Sequence, residues 1–212
     1  MPGTGQLEFN GLFELAHIRE RLGNHKPTFI VPGQATRQAA VAIILRAHQG
    51  HPQVLFIQRA IKDGDPWSGH MAFPGGHRDP DDAGLKEAAM RETLEETGLD
   101  LGSARWLGAL NHERAQPRGR VLDMLIAPHI FEIDGDPRFT PNHEVADVVW
   151  GPLSRMARNE LHDTEERPVL GNMTVFNGYR LAGGHFVWGL TYRILKSFFT
   201  TLDPTWVGPP EV

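Results

Sequence analysis

The chain contains no cysteine. Disulfides and thiol nucleophiles are therefore excluded, and the absence fits a reducing compartment. Long apolar runs are also missing. Val41-Ala42-Ile43-Ile44-Leu45 is among the strongest, and it is far too short to cross a bilayer. A basic excess is absent as well: 21 Lys and Arg stand against 26 Asp and Glu, a net charge of -5. That balance provides no electrostatic reason to bind nucleic acid. The N-terminus carries acids and no cationic, apolar signal pattern, so the expectation is a soluble, cytoplasmic protein without a membrane partner. Eleven histidines are present but scattered, and no pair shows the H-E-x-x-H arrangement, so a zinc site is not expected.

What is there suffices for one core. With 212 residues and 40% hydrophobic content, the chain reads as a single domain over 1-212. An N-terminal helix and extension occupy 1-37, the core 38-203, and a mobile tail 204-212. Helical spacing of Leu7, Phe13, Leu15, Ile18 and Leu22 predicts a helix over 7-22. Paired strands are predicted over 39-47 and 53-59, around Gly50-His51-Pro52. Further strands follow at 71-73, 105-111, 121-133, 145-150 and 167-176, with a terminal amphipathic helix over 188-200. Strands interleaved with helices imply an α/β fold, a mixed sheet between helical layers.

The chemistry concentrates in one stretch. Gly75-Gly76 closes the turn Phe73-Pro74-Gly75-Gly76, and a helix predicted over 83-97 carries Arg91-Glu92-Thr93-Leu94-Glu95-Glu96-Thr97 before Gly98. On a helix Glu92, Glu95 and Glu96 fall within an arc of about 100°. Met90 and Leu94 lie on the opposite side, where they are expected to pack into a core. Three like charges near the negative end of a helix dipole repel one another. A divalent cation converts that repulsion into ligation, and oxygen-rich sites suit Mg²⁺ or Mn²⁺. The glycines let the backbone approach a ligand closely, and Arg91, four residues before Glu95, can brace a carboxylate.

This stretch resembles the Nudix box, the loop-helix motif of hydrolases that cleave nucleoside diphosphates linked to another moiety. From Arg91 to Leu99 the match departs only at Thr93, which stands at an apolar position. Upstream, Asp82 replaces the usual first Glu, and one extra residue separates Gly76 from Arg91. Asp82 reads equally well as an N-cap of the helix. The extra residue, the stretch Phe56-Ile57-Gln58-Arg59-Ala60, the stretch Asp65-Pro66-Trp67-Ser68-Gly69-His70 and the segment Val187-Trp188-Gly189-Leu190-Thr191 resemble the coenzyme A pyrophosphatase-type subgroup. Gly64 and His70 depart from that subgroup's pattern, in which Arg and Gln are usual.

The resemblance implies a Nudix-type α/β/α sandwich and a Mg²⁺- or Mn²⁺-dependent pyrophosphohydrolase. Its expected substrate is coenzyme A or an acyl-coenzyme A, split to 3',5'-ADP and (acyl-)phosphopantetheine. Alternatives are a nucleotide-sugar, ADP-ribose or nucleoside triphosphate pyrophosphatase, and a noncatalytic sensor of a nucleotide metabolite. Implied metal ligands are Glu92, Glu95, Glu96 and the carbonyl of Gly75, with Glu96 first among them. Glu92 is the first choice of general base, Glu113 and Glu144 are loop candidates, and Arg91 is a brace. Substrate contacts are expected from Arg59, Trp67 and His70, with His70 favoured as a tie for its loop and Trp188 as core. The resemblance is also compatible with a homodimer.

Overall fold

The computed structural model describes residues 13-64, 67-115, 123-169 and 171-212. Its central feature is a pair of long strands, β1 (Arg37–His48) and β2 (His51–Arg59), joined by a turn at Gln49 and Gly50. Both turn residues have positive φ, 51° and 79°, which matches the twist of a tight hairpin. The turn thus closes two residues earlier than Gly50-His51-Pro52 suggests, and Pro52 sits inside β2 opposite Ala47.

The two strands then diverge. Near the turn β1 pairs with β2, but at Ala39, Ala40 and Val41 its partner is β4 (Gly75–His77). The facing end of β2, at Ile57 and Gln58, pairs with β3 (Met71–Ala72). Phe73 and Pro74 carry the chain across the gap, and the Ala42 amide donates to the Pro74 carbonyl at 2.8 Å. The Gly75-Gly76 turn is therefore wedged into the opening of a sheet, with its backbone held on β1.

The sheet continues through β7 (Met124–Glu132), parallel to β1, and β5 (Arg105–Ala109), antiparallel to β7. Short β6 (Glu113–Arg114) also pairs with β7, and β8 (Val145–Pro152) runs along the free edge of β2. One parallel pairing among antiparallel ones makes the sheet mixed, as expected. Alternate β1 residues serve two cores. Ala40, Ala42 and Ile44 pack with Phe131 against α2 (Leu85–Thr97), whereas Ile43 and Leu45 pack with Phe198 of α4 (Gly189–Leu202) and Ile18 of α1 (Leu15–Asn24). Helices thus cover both faces, giving the α/β/α sandwich. Short α3 (Leu153–Ala157) follows β8.

Several expectations need correcting. Of the helix expected over 7-22, the described part is α1, which ends at Asn24, two residues later than expected; residues 7-12 lie outside the described ones. The strand expected over 167-176 is a hairpin, β9 (His162–Val169) and β10 (Asn172–Arg180), extended by β11 (Phe186–Trp188) into a separate antiparallel sheet. Trp188 belongs to β11, and α4 begins one residue later. Within the stretch after Pro204, Trp206 is anchored: it donates to the Ala157 carbonyl at 2.7 Å, and its ring lies 5.2 Å from Phe199. Leu94 faces outward, 48% exposed. The buried arc of α2 is built instead from Ala88, Ala89, Thr93, Glu96 and Thr97. The Thr93 and Thr97 hydroxyls donate to the Ala89 and Thr93 carbonyls, both at 2.7 Å, so these polar residues are buried without an unmet donor.

Candidate active site

Each glycine of the turn is required by a different neighbour. Gly75 has φ of 151°, and a Cβ there would stand 2.2 Å from the Ala40 carbonyl oxygen and 2.6 Å from Val41 Cα. Sheet pairing alone therefore forbids a side chain at Gly75. A Cβ on Gly76 would meet the Glu92 carboxyl group at 2.4 Å. That position is reserved for a functional group. At the other end of α2, Gly98 adopts the left-handed conformation and its amide donates to the Leu94 carbonyl at 2.9 Å, ending the helix where the sequence suggests.

Arg91 ties the turn to the helix. Its guanidinium donates to Asp82 Oδ1 and Oδ2 at 3.1 and 3.0 Å, to Glu92 Oε1 at 3.0 Å and to the His77 carbonyl at 2.8 Å. It also reaches Glu95 at 3.3 Å. The bidentate pair with buried Asp82 holds that carboxyl below its usual range, and the carboxylates together hold the guanidinium proton more firmly than usual. Arg91 is thereby committed to bracing. Asp82 does not cap α2; Gly84 occupies the N-cap. The side chain of Asp82 instead accepts from the Asp79 amide at 2.8 Å and anchors Arg91.

Glu96 is the most perturbed carboxyl of the site. It is 3% exposed, and its Oε2 accepts from the Gly75 amide at 2.8 Å. Burial pushes its pKa up to about 8; the Gly75 hydrogen bond and Arg59 oppose the rise, while Glu92 and Glu144 add to it. Burial also raises the Glu92 carboxyl, with Arg91 opposing. Glu95 lies at the outer end of the arc, more than half exposed, with its carboxylate on Arg91. Among the described residues no three acidic or histidine side chains are arranged to enclose a metal ion by themselves. The donor set nevertheless fits a hard cation. Glu92 and Glu96 both resist ionisation where they stand, so a divalent charge is what they lack. Mg²⁺ is commonly held by one or two carboxylates, with water and substrate phosphate completing the shell.

Residues 36–172 match the NUDIX domain. The chain belongs to the Nudix family. It is 30% identical over 186 residues to an uncharacterized Nudix hydrolase, NudL, of Pectobacterium atrosepticum, covering 86% of this chain and 92% of that one. It is 28% identical over 176 residues to the mouse mitochondrial coenzyme A diphosphatase NUDT8, covering 81% and 80%. An uncharacterized Schizosaccharomyces pombe protein is 33% identical over 145 residues; the match spans 59% of this chain but only 44% of that protein's length. Among solved structures, a MutT/nudix family protein from Enterococcus faecalis covers 96% of this chain and 76% of its own, with a TM-score of 0.52 and 17% identity. That likeness supports the fold.

The structure gathers some of the expected Nudix residues and separates others. Arg59 ends β2, its amide donates to the His70 carbonyl at 3.0 Å, and its charge acts on Glu96. Glu144 also comes to the site. The Ala60 amide donates to its carbonyl at 2.7 Å, and the Asn142 amide donates to the Glu96 carbonyl at 3.1 Å, so this loop hangs from the end of the Nudix helix. Glu113 stands apart. In register it neighbours Ile126, then Ala39, then His77, three strand spacings or about 14 Å away. Its carboxylate lies 3.7 Å from Arg193 on α4. Trp67 is 43% exposed on the loop before β3. The His70 ring packs 4.6 Å from Trp188, consistent with a role in holding that loop. Sequence reading missed the pairing of Asp82 with Arg91, which lie nine residues apart, Asp82 before the helix and Arg91 on it. It also missed Arg167, whose guanidinium lies 4.6 Å over the Trp188 ring.

Proposed function

We propose that this Nudix hydrolase cleaves the diphosphate of coenzyme A or an acyl-coenzyme A, yielding 3',5'-ADP and (acyl-)phosphopantetheine. One observation carries the hydrolytic part: two neighbouring carboxyls, buried Glu96 and half-buried Glu92, stand against a side-chain-free glycine turn with their pKa values raised. The narrower substrate is supported by the Phe56–Ala60 and Trp67–His70 stretches and by the likeness to NUDT8 over 81% of the chain.

Glu96 and Glu92 would hold the Mg²⁺ or Mn²⁺, with Glu95 reaching it after release from Arg91. Such an ion neutralises diphosphate oxygens and lowers the pKa of a bound water. Glu92 would also serve as the general base that takes the water's proton. Glu144, close enough to act on Glu96, is the second candidate. Arg59 presents a cation on the same side as Glu96 and suits a phosphate oxygen. Asp82 and Arg91 keep Glu92 at Gly76 rather than touching substrate.

The test is hydrolysis of a panel: coenzyme A, acetyl-coenzyme A, ADP-ribose, NADH, UDP-glucose, diadenosine polyphosphates and 8-oxo-dGTP, each with Mg²⁺ and with Mn²⁺, with products identified by mass. Release of 3',5'-ADP from coenzyme A with much poorer turnover elsewhere supports the reading. Preference for another diphosphate discards the coenzyme A assignment and keeps the mechanism. Tight binding without turnover of any compound would sink the catalytic reading in favour of a sensor.

A further inference from the structure

The sheet formed by β9, β10 and β11 extends past residue 172, where the NUDIX match ends, and it touches the catalytic region through Trp188 and His70. One of its faces carries an ordered stack. The Arg167 guanidinium lies 4.6 Å over the Trp188 ring, Phe176 meets that ring edge-on at 4.6 Å, and His70 meets it at 4.6 Å from the loop before β3. Within this stack two donors are orphaned. Trp188 Nε1 and Arg167 Nε are buried and have no hydrogen-bond partner among the described residues. A buried donor without an acceptor costs about 1–3 kcal/mol, so two in contacting side chains call for an explanation. Both groups are donors only, so whatever satisfies them is an acceptor.

Charge decides what kind of acceptor. Arg167 is paired with Glu165 at 2.6 Å, and Arg180 bridges Glu165 and Asp163 at 2.7 and 2.8 Å. Two guanidinium groups already face two carboxylates on this sheet. A phosphate would bring uncompensated negative charge there, whereas a neutral acceptor would not. We propose that Trp188 and Arg167 form a substrate subsite for a neutral, planar hydrogen-bond acceptor, an amide carbonyl or a nucleobase edge, in the part of the substrate remote from the scissile diphosphate. Arg167 is a long side chain 28% exposed, so its movement gives such a group access to the two donors. The inference rests on the reading of this site as a diphosphate hydrolase. A coenzyme A substrate offers both sources of the acceptor, the adenine and the pantetheine amides.

The experiment compares wild type with Trp188→Phe, which keeps a ring and removes the N–H, and with Arg167→Lys, which keeps the charge and removes the Nε donor. KM and kcat are measured with Mg²⁺ for coenzyme A and ADP-ribose, using the inhibition constant for whichever is not cleaved. Each variant should raise KM for coenzyme A about tenfold, the value of one lost hydrogen bond, with kcat within about twofold of wild type. A parallel rise for ADP-ribose identifies the nucleobase as the occupant; an effect confined to coenzyme A identifies the amide arm. Unchanged KM in both variants, or a loss confined to kcat, overturns the subsite. If wild type cleaves neither compound, the coenzyme A assignment fails separately. Calorimetric Kd values for the same pair of ligands then decide the subsite, equal affinities of wild type and variants overturning it.

Discussion

Replacing Glu96 by Gln removes a carboxyl that burial and its acidic neighbours hold at a pKa of about 8, while retaining an oxygen to accept from the Gly75 amide. The reference value is 4.5. A folded-state pKa above the unfolded one means that the full stability is present below the unfolded value and is lost as pH rises towards the folded value. In chelator, wild type should therefore weaken relative to Glu96→Gln from about pH 4.5 to about pH 8. Between pH 5 and pH 7.5 the gap should widen by about 3 kcal/mol, at 1.36 kcal/mol per pH unit with saturation at both ends. Urea denaturation of both proteins at several pH values measures that gap, and because the two share every other titrating group, their effects cancel to first order. Adding Mg²⁺ or Mn²⁺ should stabilise wild type more than the variant, because the cation binds the folded ionised site. With Mg²⁺ present the same substitution should lower turnover by orders of magnitude, since a charged ligand is lost. A gap that does not change with pH would refute the claim that Glu96 is held protonated by burial. Near-wild-type turnover would refute its role as ligand.

Other substitutions probe the frame. Gly76→Ala puts a methyl group where the Glu92 carboxyl lies, so kcat should fall at least tenfold while the melting temperature changes little, because a flexible side chain can yield. Gly75→Ala meets backbone at 2.2 Å with φ of 151°, so it should destabilise the fold by about 3 kcal/mol or more in urea titration. Asp82→Ala strips Arg91 of its bidentate partner and should cost about 1–3 kcal/mol at pH 7. The Asp82 carboxyl is held below its usual value of 3.8, so its contribution is present above that pH and lost as pH falls through the lower folded value. The difference between wild type and Asp82→Ala should accordingly shrink only in acid; a constant difference down to pH 2 would contradict the assignment.

What was legible in the sequence was local. The turn glycines, the spacing of Glu92, Glu95 and Glu96, the brace of Arg91 on Glu95 and the stop at Gly98 depend on residues within a few positions of one another, and helix and turn rules act over that range. The hairpin of β9 and β10 was hidden because Asp163, Glu165 and Arg167 alternate as charges rather than as apolar residues; they face aromatic rings and one another, not a core. Leu94 misled for a related reason. Its spacing suggests burial, yet α2 approaches the sheet through the small residues Ala88, Ala89 and Thr93, turning the Leu94 side outward.

By itself, then, the sequence determined that Arg91, Glu92, Glu95 and Glu96 share one helix and that a glycine turn precedes it, because backbone propensity and residue spacing are properties of neighbouring positions. Only the tertiary structure decided their environment. Pairing of β4 with β1 places Gly75 under Glu96, the loop before β8 brings in Glu144, and β2 delivers Arg59, while Glu113 is left three strands away. Burial of Glu96 and the approach of Trp188 to His70 likewise arise between elements distant in the chain, and it is solvent exclusion at those junctions that sets a carboxyl's pKa and a donor's need for a partner.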